Sequence, residues 1–235
     1  MPINALGQPI GPDVADWTGV RPPDAIAMEG RLCRVEPLDA DRHAADLFAS
    51  WQADADGRNW TYLGYGPFEN SDACRAFLDA MAGRRDPLFH AIVDKASGKA
   101  LGVASYLRID TASGVVEVGH INYGPALQRS PVATEAMYLM MRRVLEELGY
   151  RRYEWKCDAL NAGSRRAAER LGFTYEGLFR QATVYKGRNR DTAWFSVIDS
   201  EWPGLKAAFE AWLAPENFDE EGRQRRRLAD LRTGG

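Results

Sequence analysis

Residues 124–173, GPALQRSPVATEAMYLMMRRVLEELGYRRYEWKCDALNAGSRRAAERLGF, decide the fold. They read as a tight loop, a helix start, an amphipathic helix, a strand, and an Asn-led turn into a second, short helix. Ala133, Ala136, Met137, Met140, Val144, Leu145 and Leu148 share one helical face, and Gly149 is the stop signal. Tyr153, Trp155 and Cys157 then alternate with Arg152, Glu154, Lys156 and Asp158, a strand with one apolar and one charged face. The short helix covers 164–171 and ends at Gly172. This order sets two helix N-termini beside a gap between strands. A helix N-terminus presents unpaired N–H groups and partial positive charge, so it is a seat for phosphate.

Upstream, 30–38 alternates as a first strand, and 39–51 and 71–81 carry apolar residues at helical spacing, with Ser71 as an N-cap. Between those helices lies RNWTYLGYGPF, rich in aromatic residues and Gly. Stretches 88–93, 100–109 and 115–122, separated by Ser97-Gly98 and Ser113-Gly114, predict an antiparallel meander. Downstream, strands near 178–186 and 192–198 flank the turn GRNR, and a helix follows Pro203. Residues 1–28 are Pro-rich and aperiodic, an irregular arm anchored through Trp17. The tail NFDEEGRQRRRLADLRTGG reads as a solvated charged helix or a frayed end, with Glu221 and Arg225 at ion-pair spacing.

The 235 residues suffice for one generous domain, and 45% hydrophobic with 27% charged residues is a globular composition. A net charge of −3 argues against coating nucleic acid, and no apolar run is long enough to span a bilayer. No secretory signal is visible. Cys33, Cys74 and Cys157 form no CxxC pair, and His43, His90 and His120 are dispersed, so neither a disulfide framework nor a metal site is expected. A reducing cytoplasm is the plain reading.

Four pieces, in this order and spacing, carry a resemblance: VEPLDADRHAADLF, VEVGHINYGPALQRSPVATEA, YEWKCDALNAGSRRAAERLGF and EGLFRQATVYKGRNRDTAWFSVIDSEWP. The chain resembles the GNAT N-acetyltransferase superfamily, within it the RimJ/RimL-like ribosomal-protein N-terminal acetyltransferases. The resemblance implies an α/β (α+β) fold, with a central mixed, mostly antiparallel twisted sheet flanked by helices. It covers 29–202, leaving 1–28 as an arm and 203–235 as a C-terminal helix and charged tail. It implies acetyl-CoA as co-substrate and an amine acceptor, with no metal, nucleic acid or membrane as partner; a homodimer is left open.

Residue by residue, the resemblance places cofactor contacts at Asn122, Tyr123, Gln128, Arg129, Ser130, Val132, Ala133, Thr134, Asn161, Ser164 and Arg165. One departure stands out: Pro131 occupies a position where the superfamily loop carries Gly. Proline removes an N–H, yet Ser-Pro is also a good N-cap and N1 pair. The remaining N–H groups of Val132, Ala133 and Thr134, with the Ser130 and Thr134 hydroxyls, would seat pyrophosphate. Arg165 and Arg166 reach a ribose phosphate or simply coat the surface. A backbone N–H near Asn122 or Tyr123 would polarise the thioester carbonyl. The general-acid candidate is Ser164; the base candidates are Glu117 first, then His120. Glu117 and His120 are three residues apart on one strand and so face opposite ways unless a bulge intervenes. Tyr185 is a further acid candidate, and Cys157 reads as a buried thiol. The acceptor is expected between the aromatic loop 58–68 and the hairpin 187–190. Transfer from succinyl-CoA (Arg129 is compatible) and a non-catalytic acyl-CoA sensor (Pro131) are the competing readings.

Overall fold

The computed structural model describes residues 1–232; the last three tail residues lie outside the described part. Eight strands form one sheet in the order β1-β2-β3-β4-β5-β6-β8-β7. They are β1 (Met28–Glu29), β2 (Cys33–Pro37), β3 (Leu88–Asp94), β4 (Ala100–Asp110), β5 (Val115–Tyr123), β6 (Arg152–Asp158), β7 (Thr174–Tyr185) and β8 (Arg188–Ile198). Every neighbouring pair is antiparallel except β5–β6, which is parallel. This is the mixed, mostly antiparallel sheet that the sequence predicts.

Helices α1 (Ala40–Gln52) and α2 (Ser71–Met81) cover one face of the sheet through Leu47, Trp51, Cys74 and Leu78, against Phe89, Ala91 and Val103. The other face carries α3 (Pro131–Arg142, continued as a wider turn to Glu147), α4 (Ala162–Arg170) and α5 (Trp202–Leu213). α3 is fastened to the sheet edge by a buried carboxylate. Glu135 accepts hydrogen bonds from the backbone N–H groups of Arg31 (2.9 Å), Leu32 (2.6 Å) and Cys33 (2.8 Å). Gly30 lies so close to Glu135 that a Cβ would collide with it.

Several local expectations shift. The N-cap of α2 is Asn70, whose Oδ1 accepts from Ala73 N–H at 2.9 Å, rather than Ser71. The first predicted strand shortens to β2, because 30–32 turn around Glu135, and β1 lies ahead of it where the arm was expected to end. The β7–β8 turn is tighter than GRNR: Lys186 and Gly187 alone make it, both at positive φ, as a two-residue hairpin turn requires. The arm is anchored as expected, Trp17 Nε1 donating to Ala112 O at 2.7 Å beneath Arg151.

The tail differs most. Segment 223–227 is not helical, and Glu221 pairs with Arg223 rather than Arg225. A bridge joins Phe218 to Gln224, and the chain then enters a short helix α6 (Leu228–Arg232), with Leu228 only 1% exposed in the main core. Apolar Leu228 and Leu231 supply burial that outweighs the solvation of the surrounding charges. Leu228→Ala should therefore lower unfolding free energy by roughly 2–5 kcal/mol in urea titration, as for other buried leucines. A loss within about 0.5 kcal/mol, the range for surface positions, would mean a solvated tail.

Candidate active site

Strands β5 and β6 pair only from Val115 to Val118 against Arg152 to Trp155. Beyond that they part, and a cleft of about 1050 Å³ opens between them and the N-termini of α3 and α4. Asn122, Tyr123, Gln128, Arg129, Ser130, Ala133, Thr134, Asn161 and Ser164 all line it. Nine of the residues expected at the cofactor are thus brought together. Val132 is not in the wall, but its backbone N–H has no hydrogen-bond partner among the described residues. Arg165 does not line the cleft: its guanidinium lies over the Tyr175 ring, 5.7 Å from the centroid, so Arg166 and Arg170 line the wall instead.

The start of α3 is already well capped. Ser130 Oγ accepts from Ala133 N–H (3.1 Å) and donates to Leu127 O (2.7 Å). Thr134 Oγ1 accepts from Arg170 at 3.1 Å. Pro131 stands at N1, where the N–H has no intrahelical partner anyway. The cap consumes the Ala133 donor, so positive charge for an anion comes mainly from side chains. Arg129, Arg166 and Arg170 line the cleft and form no ion pair among the described residues.

Asn122 is 2% exposed, and neither end of its amide has a partner. An unpaired buried amide is costly, so it marks a place for a ligand that can both donate and accept. Asn161 caps α4 by accepting from Ser164 N–H at 3.0 Å. Ser164 Oγ lines the cleft and accepts from Trp155 Nε1 at 2.9 Å, and its hydroxyl also lies within hydrogen-bonding reach of Cys157. Cys157 is buried and burial pushes its thiol up, so it is an inert thiol. These features fit acyl-CoA: phosphates beside Arg129 and the α3 start, pantetheine amides at Asn122, the thioester end toward Ser164.

The expected base candidates lie on the other face. His120 sits in a bulge with φ +50°, between the Val103–Asn122 and Ser105–Gly119 pairs. The bulge cancels the alternation that would separate His120 from Glu117. Arg108 connects them, bonding Glu117 at 2.7 Å and acting electrostatically on His120. Glu117 is 3% exposed and held between Arg108 and Lys156, the latter at 3.0 Å. Burial raises its carboxyl while the two cations oppose that rise. The His120 ring is stacked with Tyr65 and tilted against Phe89. Burial, then Arg108, lowers its pKa, so the imidazole is neutral near pH 7.

Tyr62 alone of the loop aromatics lines the cleft, its hydroxyl donating to Leu160 O at 3.2 Å. Trp60, Tyr65 and Phe68 pack with Trp51 and Phe77 of α1 and α2. The hairpin meets the loop where Lys186 Nζ donates to Trp60 O (2.7 Å) and Gly66 O (3.2 Å). Tyr185 is tied to Asp158 at 2.8 Å, and burial with that carboxylate pushes its phenol up to about 12. Asn59, Trp155, Arg170 and the C-terminal wall were not singled out from sequence. Only the polar loop position of Asn59 and the arginine spacing on α4 hint at them.

The family model for the acetyltransferase (GNAT) domain matches residues 33–174. A solved GCN5-related N-acetyltransferase from Brucella melitensis is 50% identical, with a TM-score of 0.91 over 93% of this chain and 99% of that one. YdaF of Bacillus subtilis, provisionally named a ribosomal N-acetyltransferase, is 27% identical over 109 residues. That match spans 46% of this chain and 59% of the relative, consistent with the RimJ/RimL-like branch. The microcin C7 self-immunity acetyltransferase MccE, solved with acetyl-CoA and AMP, is 21% identical and shares the fold, with a TM-score of 0.63 over 72% of this chain and 93% of that one. Among the described residues no helix is long and apolar enough to cross a membrane, and no cluster of His, Cys, Asp and Glu could hold a metal ion. On the family match and the half-identical solved structure, the chain belongs to the GNAT acetyltransferase family and is an acetyltransferase.

Proposed function

We propose that this acetyltransferase moves an acetyl group from acetyl-CoA to a primary amine, on a protein N-terminus, a peptide or a small molecule, by direct attack in a ternary complex. The observation that carries the donor assignment is the unpartnered Asn122 amide in the same cleft as three unpaired arginines and the capped start of α3. Acetyl-CoA supplies an activated thioester. The chain supplies placement, polarisation and proton handling.

Tyr123 is suited to polarise the thioester carbonyl. Its C=O is taken by Asn59 Nδ2 (2.9 Å) and Gln128 Nε2 (3.0 Å), on the side away from β4. In an extended strand the N–H and C=O of one residue point the same way, so Tyr123 N–H also faces the gap. Ser164 is suited to return a proton to the leaving thiolate, since Trp155 fixes its oxygen at the cleft wall and a hydroxyl O–H can donate. For the base, the geometry favours His120 over Glu117. His120 is a neutral imidazole at the bulge, whereas one Glu117 oxygen is shared by two cations. Asp158 at the end of β6 and Tyr185 at the end of β7 offer the incoming ammonium a carboxylate and a phenol.

An amine and peptide panel with thiol release as the readout tests the activity. A rise in melting temperature with acetyl-CoA but no release across the panel would favour an acyl-CoA sensor instead. Asn122→Leu should weaken CoA binding about tenfold without lowering the stability of the free protein, because it removes an unpaired buried amide. Intact binding with lost stability would make that amide structural. Ser164→Ala should slow turnover more than it weakens CoA binding; an unchanged rate removes it as the acid. The wild-type kcat/KM should fall as pH drops through a pKa below the ordinary imidazole value of 6.5. His120→Gln should abolish that limb and cost on the order of 10²-fold or more in kcat. Glu117→Gln should cost mainly stability, by removing the buried carboxylate that Arg108 and Lys156 share; the reverse pattern transfers the base role to Glu117.

A further inference from the structure

The cleft has a wall that lies beyond residue 174, where the family match ends. Trp212 at the end of α5, then Phe218, Arg223 and Gln224, line it. This segment is built in. Trp212 Nε1 donates to Gln224 Oε1 at 2.8 Å, and Asn217 ties Trp212 O (2.9 Å) to the backbone of Arg226 (2.9 Å to its N–H). Leu228 then locks it into the core.

The charges around this wall are unevenly matched. Arg223 is neutralised by Asp219 and Glu221, each at 2.8 Å. Arg170 has no carboxylate partner among the described residues. It is fixed by Thr134 Oγ1 at 3.1 Å and lies over the Trp212 ring, 5.0 Å from its centroid. Crowding by protein, then the neighbouring Arg232, lowers its pKa, and Arg232 has a buried Nε with no partner. Arg166, one turn back on α4, also lines the cleft and forms no ion pair among the described residues. Two adjacent cations without a counter-charge repel each other, and a bound anion would relieve that repulsion.

Position selects the anion. α4 has nine residues, a length of about 13 Å, with Asn161 and Ser164 at one end and Arg170 at the other. The thioester end of the donor belongs near Ser164, and Arg129 with the free Val132 N–H serves the pyrophosphate. Arg170 and the C-terminal wall therefore remain for the donor's other phosphate. Resting on the acyl-CoA reading, we propose that segment 212–232 completes the donor cleft and that Arg170, with Arg166, binds the ribose 3′-phosphate of CoA. The C-terminal extension thereby sets selectivity for CoA over 3′-dephospho-CoA.

Isothermal titration of the full chain with CoA and with 3′-dephospho-CoA tests this without turnover. Wild-type protein should bind CoA roughly 10-fold to 100-fold more tightly, the range for a charge-assisted contact. In Arg170→Gln the ratio should collapse toward one through lost CoA affinity, with dephospho-CoA binding unchanged, and Arg170→Lys should restore part of it. Equal wild-type affinities, or parallel weakening of both ligands by Arg170→Gln, would overturn the proposal while leaving the acyl-CoA reading standing. Binding of neither ligand by wild-type protein would remove both. Should Arg170→Gln not fold, Arg166→Gln carries the same comparison, and an unaltered ratio there counts against the proposal.

Discussion

Strands β5 and β6 are bonded as parallel neighbours over Val115–Val118 and Arg152–Trp155 only, and then diverge. The divergence follows a bulge at His120, whose positive φ takes β5 off its straight course. Everything at the site depends on this. The gap leaves one edge of β5 without a strand partner beyond Val118, so backbone donors near Tyr123 face the cleft. It admits Asn122 without giving its amide a partner. The same bulge turns His120 toward the face that carries Glu117.

That face is floored by a chain of opposite charges. Arg108 bonds Glu117, Lys156 bonds both Glu117 and Glu154, and Arg152 bonds Glu154 and Glu176. Glu117 and Glu154 are almost fully buried, at 3% and 6% exposure. Carboxylates so removed from water persist only when paired, and stripping one partner from such a network typically costs about 3–5 kcal/mol. The Lys156 ammonium also lies 3.8 Å from the Trp194 ring centroid, which adds attraction on a side where water is excluded. A network this well matched holds the β6 end rigid beside the gap. His120, stacked among Tyr65 and Phe89, has no ion pair of its own among the described residues.

The proline at the start of α3 removes one backbone donor from the wall of the cleft. Ser130 and Pro131 make a rigid helix start, and the cap itself takes up Ala133 N–H. Arg129, Arg166 and Arg170 bring positive charge to the cleft wall from the loop and from α4. Arginines placed by packing, such as Arg170 over Trp212, lose less freedom on binding than mobile ones would.

Much of this was legible along the chain. Periodicity located α3, β6 and the meander, and Asn161 showed as the cap of α4, because these follow from contacts within a few residues. The order of elements carried the family and the place of the cleft. The charged tail misled, since charge density suggests solvation while a few leucines at its end decide burial. Arg165 misled for a related reason: adjacent arginines on a helix point in different directions, and only the position of Tyr175 determines which one leaves the cleft. The relation of Glu117 to His120 turned on a single residue at positive φ, which alternation cannot foresee. The sequence by itself determined the elements and their order, because local spacing and capping are properties of neighbouring residues. Only the tertiary structure decided where the strands part, which arginines converge and what walls the far end of the cleft, because each depends on contacts between residues distant in the chain.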